Sequence, residues 1–148
     1  YEFCEEDFES EEILRLFFYF LWLLKENKKT PSFIKAVTEL RLMSLSGYMP
    51  DLVACEKCGE YETEYMYFNS EEGKIYCKDC VPSSFCKCIS SSVVTAMRYV
   101  ALLDFPKIFS FTLNDEGLKS FCNITEEYLL NKTQRKFKTL EFYNVIKE

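Results

Sequence analysis

The sequence predicts a mainly α-helical domain with one small β-hairpin inserted into it. Three observations lead there. Long stretches carry apolar residues at helical spacing between recognisable caps. One stretch, "EYMYFNSEEGKIY", has two short β-prone runs about a turn. A Cys-x-x-Cys pair stands on each side of it, Cys55 with Cys58 and Cys77 with Cys80. The 148 residues make about one domain, long enough for a normal core. A hydrophobic share of 48%, with only four Gly and four Pro, excludes a disordered chain.

Taken in order, Ser10 is placed to cap a first helix from Glu11 to about Leu24, carrying "ILRLFFYFLWLL". Acids before it and lysines after it suit the helix dipole. Twelve residues span about 18 Å as a helix, too short for a bilayer core of ~30 Å. An acidic flank and the lack of a small-residue cleavage site argue against a signal peptide. A helix apolar nearly all round is expected at the centre of the helical core. In the second helix, "TPSFIKAVTELRLMSLSG", Thr30 caps, Pro31 takes the first position and Gly47 stops it. Phe33, Ile34, Val37, Leu40, Leu45 and Met43 or Ser44 form its inner stripe. Pro50 then holds the chain extended before the first cysteine pair.

The hairpin turn is "NSEEG", from Asn69 to Gly73, and "VPSSFCKC" after the second cysteine pair is expected to be irregular. "SSVVTAMRYVALL" forms the next helix, capped near Ser91 or Ser92 and ended before Pro106. Asn114 or Asp115 caps a last helix expected to reach the C-terminus with a break near Asn123. Its inner stripe is Leu129, Thr133, Phe137, Leu140 and Tyr143 or Asn144. Residues 1–54 and 89–148 thus make one helical unit, and 55–88 the insertion. Tyr1 in place of an initiating methionine reads as a fragment with a domain missing upstream.

Net charge is −6 and unevenly spread: residues 1–30 carry eight acids against four bases, and 51–81 eight against three. Residues 126–148 reverse this, with five bases against four acids. Phosphate affinity comes from Lys and Arg displacing counterions, so the overall balance weighs against nucleic-acid binding. "KTQRKFK" is the exception, with Lys132, Arg135, Lys136 and Lys138 around Phe137. On a continuous helix the first three share a face. The segment is either a solvated helix face or a surface for DNA or a partner.

Eight cysteines in a chain without histidine set the chemistry. Two Cys-x-x-Cys turns separated by eighteen residues bring four sulfurs to one tetrahedron, a spacing typical of structural zinc. Gly59 is expected to let the first turn close without a Cβ clash. Four thiolates fill the coordination shell, leaving no open position for a catalytic water. A redox pair, an iron–sulfur site and ligation by Cys86 or Cys88 in place of one of the four remain alternatives. Cys4 and Cys122 read as small core residues, and the cysteine usage suits a reducing, cytoplasmic compartment. The "NIT" at Asn123 and "NKT" at Asn131 are then chance glycosylation patterns. Without a histidine base, a phosphate-cradling glycine loop or an open metal position, an enzyme is the weakest reading. The paired Glu126 and Glu127 have nothing near them in sequence to suggest acid–base work.

The combination "LRLMSLSGYMPDLVACEKCGE", with Gly47, Tyr48, Pro50 and Leu52, then "YCKDC" and a tail ending "RKFKTLEF", resembles the C-terminal part of the RecO family of bacterial recombination mediators, in its zinc-containing branch. The resemblance covers the chain from about Ile13 onward. It implies Zn²⁺ held by Cys55, Cys58, Cys77 and Cys80, and an upstream OB-fold that makes much of the DNA contact. It also implies DNA binding, strand annealing and RecA loading without enzymatic activity, with RecR, single-strand-binding protein and RecF as partners, near the nucleoid. A protein-binding zinc module with no nucleic-acid role is the competing reading.

Overall fold

In a computed structural model, residues 9–82 and 85–146 are described. Their order is α1 (Glu9–Glu26), α2 (Pro31–Leu45), β1 (Tyr65–Asn69), β2 (Lys74–Tyr76), β3 (Cys86–Ser90), α3 (Ser91–Leu102), a 3-10 turn at Lys107–Phe109, α4 (Asp115–Thr133) and α5 (Lys138–Ile146). The mainly helical class with a small sheet is therefore correct.

The central helix is α2, packed against α1, α3 and α4. Its ends are set as the sequence reads: Thr30 Oγ1 accepts from the Phe33 amide, Pro31 opens the first turn, and Gly47 sits at φ +80°. Phe33, Ile34, Ala36, Val37, Leu40 and Met43 are buried, while Leu45 is only half-buried.

Helix α1 departs from expectation. It begins at Glu9, so Ser10 lies inside the helix rather than capping it. Nor is it the core's centre. Leu16 and Leu23 are buried, but Leu14, Phe17, Phe18, Leu21 and Trp22 are 43–61% exposed. The inner face is met by α2 and by Phe105 and Phe109, whose rings pack on Tyr19 at 4.8 and 5.4 Å. No described element covers the outer face. Helix α1 is shorter than two dozen residues, and no described helix is long and apolar enough to cross a membrane.

The sheet has order β2-β1-β3, all antiparallel. The hairpin is as expected: Asn69 Oδ1 accepts from the amides of Glu71 and Glu72 at 3.0 and 3.1 Å, and Gly73 closes the turn at φ +76°. The third strand corrects the expectation of irregular chain after Val81. Cys86–Ser90 pairs along the whole of β1, from Tyr65 with Ser90 to Asn69 with Cys86. An uncovered edge of β1 offers a row of unpaired amides and carbonyls, and β3 satisfies them. Met66, Phe68, Ile75 and Ile89 point inward into the same buried cluster as Val93, Met97 and Phe121.

Helix α3 starts at Ser91 with Ser90 at the cap position, one residue earlier than expected, and that serine makes no capping bond. Helix α4 starts at Asp115 and is capped by Asn114, whose Oδ1 accepts from the Gly117 amide at 2.8 Å. It runs unbroken through Asn123 and stops at Thr133, where Gln134 takes a left-handed conformation at φ 53°. The expected break therefore falls eleven residues later, and the tail is a separate helix, α5.

Helix α4 grips the hairpin turn. Buried Tyr128 packs edge-on to Phe68 with centroids 5.6 Å apart, and its hydroxyl donates to the Tyr48 carbonyl at 2.8 Å. A Cβ on Gly73 would lie 2.9 Å from the Tyr128 hydroxyl, so both the backbone angle and the close approach require glycine. Asn131 Nδ2 donates to Ser70 Oγ, Ser70 Oγ to Glu127, and Lys132 Nζ to the Glu71 carbonyl. Lys87 on β3 pairs with Glu127.

Candidate metal centre and basic segment

The four cysteines arrive from two tight turns at the open end of the hairpin. In the first, the Gly59 amide donates to the Cys55 carbonyl at 2.9 Å and the Cys55 amide to Glu60 at 2.8 Å. Gly59 lies at φ +76°, but a Cβ there would meet nothing within 4 Å. Its requirement is the backbone angle alone, which corrects the steric reason expected from sequence. In the second turn the Cys80 amide donates to the Cys77 carbonyl at 3.1 Å. The Glu56 amide joins the turns by donating to the Ile75 carbonyl at 3.0 Å.

All four Sγ atoms lie within 4.8 Å of one another, and those of Cys58 and Cys77 are 3.6 Å apart. Sulfurs about 2.3 Å from a tetrahedral zinc stand ~3.8 Å apart, so the spread fits an ion. It does not fit a disulfide, whose sulfurs are about 2.05 Å apart. Cys55 and Cys77 are buried, Cys80 is half-buried and Cys58 exposed, so one corner faces solvent.

The clustered thiols do not ionise alike. Burial pushes the Cys55 thiol up, but amides of the two turns, led by that of Cys77, outweigh it and bring its pKa down to about 6. Cys80 is pushed up to about 12, first by sharing a proton with Cys77 and then with Cys58. At Cys58 the Glu60 amide pulls the pKa down, yet the sulfurs of Cys55 and Cys77 leave it raised. One thiolate is favoured and its neighbours resist a second charge. A divalent cation is the group that would let all four ionise together.

Among the described residues the converging set is Cys55, Cys58, Cys77 and Cys80. Cys86 and Cys88 lie outside it on β3, half-buried and exposed, with Cys88 on the wall of a groove shared with Cys58, Cys77 and Cys80. The groove is a feature sequence reasoning missed, because it exists only once β3 is paired. Cys122 is buried on α4, its thiol 3.4 Å from the Ser32 carbonyl, as a core cysteine should be. Cys4 lies outside the described residues.

The basic segment is not one helix face. Lys132 is on the last turn of α4, bonded to Glu71 and lying 5.6 Å from the Tyr128 ring centroid. Arg135 and Lys136 are in the connection, and Lys138 opens α5. The left-handed Gln134 redirects the chain, so the shared face expected from i,i+3 and i,i+4 spacing is lost. Arg135, Lys136 and Lys138 are nevertheless exposed.

Beside this connection lies a second feature the sequence did not give, an apolar cavity of about 520 Å³ walled by Phe20, Leu24, Leu42, Leu129, Phe137 and Leu140. Sequence reasoning found Leu129, Phe137 and Leu140 as a stripe but assigned them to one continuous helix. Lys35 at its wall is bonded to Glu39 and Glu126, each at 2.8 Å. Burial lowers its pKa, but Glu39 and then Glu126 leave it raised, so it stays charged.

Residues 3–141 match the family model "Recombination protein O C terminal". Curated relatives are DNA repair proteins RecO. That of Acetivibrio thermocellus is 25% identical over 93% of this chain and 55% of its own length. That of Caldicellulosiruptor bescii is 24% identical over 97% of this chain and 58% of its own. A Dehalococcoides mccartyi protein is 35% identical over 54% of this chain and 32% of its own. No solved structure matches. The chain thus spans a little over half the length of the first two relatives, and it belongs to the RecO C-terminal family.

Proposed function

We propose that this chain is the helical, cysteine-clamped part of a recombination mediator that acts in DNA repair without a catalytic step of its own. It supports DNA binding, single-strand annealing and RecA loading, with one structural Zn²⁺ on Cys55, Cys58, Cys77 and Cys80. The family match across residues 3–141, coinciding with the convergence of those four sulfurs, carries the reading. An OB-fold domain upstream supplies most of the DNA contact, and the protein works in the cytoplasm at the nucleoid. Its partners are RecR, single-strand-binding protein, RecF and RecA.

The cavity and the bases beside it support one of those partners. An acidic tail with an apolar end, as on single-strand-binding proteins, needs an apolar socket next to cations. Phe137 and Leu140 line the socket, and Arg135, Lys136 and Lys138 flank them in sequence. Lys35 is matched by two carboxylates, whereas Lys136 and Lys138 are exposed beside the socket. Lys132, Arg135, Lys136 and Lys138 are the proposed contact set for DNA or this tail.

A net charge of −6 favours a second reading, a zinc-stabilised protein-binding module with no nucleic-acid role. Salt titration of the OB-containing parent protein separates the two. Binding to single-stranded DNA that weakens steeply with salt, with annealing of coated strands, supports the mediator. No binding and no annealing at low salt overturns it and leaves the module.

A further inference from the structure

We infer that Arg98, on α3, is a positioning residue for the metal centre, holding both ends of the first cysteine turn in place from the helical core. The inference rests on the zinc reading above. Arg98 Nε donates to the Leu52 carbonyl at 2.6 Å, and Nη2 donates to the carbonyls of Val53 at 3.0 Å and Tyr61 at 2.7 Å. Its guanidinium carbon lies 4.3 Å from the Tyr61 ring centroid. Leu52 and Val53 lead into Cys55, and Tyr61 follows Cys58, Gly59 and Glu60. Three carbonyls flanking one turn thus converge on one planar cation, closing the base of the loop that presents Cys55 and Cys58.

The chemistry suits arginine and not lysine. A guanidinium offers five N–H donors in a fixed fork and stacks on an aromatic face, whereas an ammonium is a single flexible point. A second arginine makes a similar contact away from the turn. Arg41 Nη1, from α2, donates to the Val100 and Ala101 carbonyls at 3.4 and 3.0 Å, near the C-terminal end of α3. The two arginines thus make comparable contacts in different places, Arg98 at the base of the cysteine turn and Arg41 within the helical body. A metal site preorganised this way loses less freedom on binding; partners bonded directly to ligands typically change affinity about 10–100-fold when removed, and Arg98, one step further out, falls at or below the low end of that range.

The test is zinc affinity of the reduced chain, by competition with a chromophoric chelator, for wild type and three variants. Arg98→Met keeps the stem without donors and should bind zinc about five- to tenfold more weakly. Arg98→Lys keeps the charge and should recover only part of that loss. Arg41→Met removes a comparable contact away from the ribbon, and should lower the thermal melt while leaving zinc affinity within about twofold. Melts in excess chelator report the metal-free fold, and Arg98→Met should lower them less than Arg41→Met does. Wild-type affinity in Arg98→Met, full recovery in Arg98→Lys, or an equal loss in Arg41→Met overturns the positioning role. A wild-type chain that binds no zinc overturns the metal reading itself, and the role of Arg98 with it.

Discussion

The cysteine ribbon and helix α1 are both joined to the same helical body, and they are held differently. The ribbon's sheet packs Met66, Phe68, Ile75 and Ile89 into the core, and its turns, poor in apolar bulk, are fixed in addition by directed links: Arg98 to the first cysteine turn, Asn131 to Ser70, Lys87 to Glu127. Helix α1, the most apolar stretch of the chain, is held by one face of packing and leaves the other in solvent. Hydrophobicity states that a segment wants a partner. It does not say whether the partner is inside the domain.

The largest effect that contrast predicts is on the ribbon. Cys77→Ser removes a buried member of the four-sulfur cluster and should abolish stoichiometric zinc binding. Hydrogen exchange should then rise in residues 52–61 and 74–80 while α2 and α4 keep their protection. Loss of protection throughout would mean that the ribbon and the helical body are one cooperative unit. On the α1 side, Leu23→Ala on the buried face should cost about 2–4 kcal/mol in denaturant unfolding. A change under ~1 kcal/mol would show that α1 is not anchored by its inner face.

The hairpin pin gives a smaller effect. Gly73→Ala should cost about 1–3 kcal/mol from the left-handed backbone and the Tyr128 approach. Adding Tyr128→Phe removes the hydroxyl 2.9 Å from the new Cβ, so the double variant should be less destabilised than the sum of the singles. Strict additivity would remove the steric part of the explanation. The smallest effect belongs to the outer face of α1, where Phe18→Ser should change stability by no more than about 0.5 kcal/mol. A loss above ~1.5 kcal/mol would place Phe18 in a packed environment.

The same contrast explains what was legible in the sequence. Helix α2 could be read at both ends because Thr30, Pro31 and Gly47 each make the bond or backbone angle their chemistry favours. The Asn69–Gly73 turn and the cysteine quartet were legible for the same reason, being local. Strand β3 was not, because "CKCIS" has a single inward aliphatic, Ile89, and its pairing is dictated by β1's edge some twenty residues away. The end of α4 was hidden because Gln134, not glycine, adopts the left-handed cap. That hidden stop displaced the basic segment from one helix face and concealed the apolar cavity beside it. Even a correct apolar run in α1 left its placement open, since its exposed face also carries large apolar residues, Leu14, Phe17, Phe18, Leu21 and Trp22.

Four cysteines converging on one metal ion would clamp the ribbon onto the helical body. The most direct test is metal content of the purified, reduced chain together with its thermal melt before and after chelation. The account predicts one zinc per chain and a lowered melt once the ion is removed. A chain without metal, or one carrying iron with visible absorbance, would contradict it.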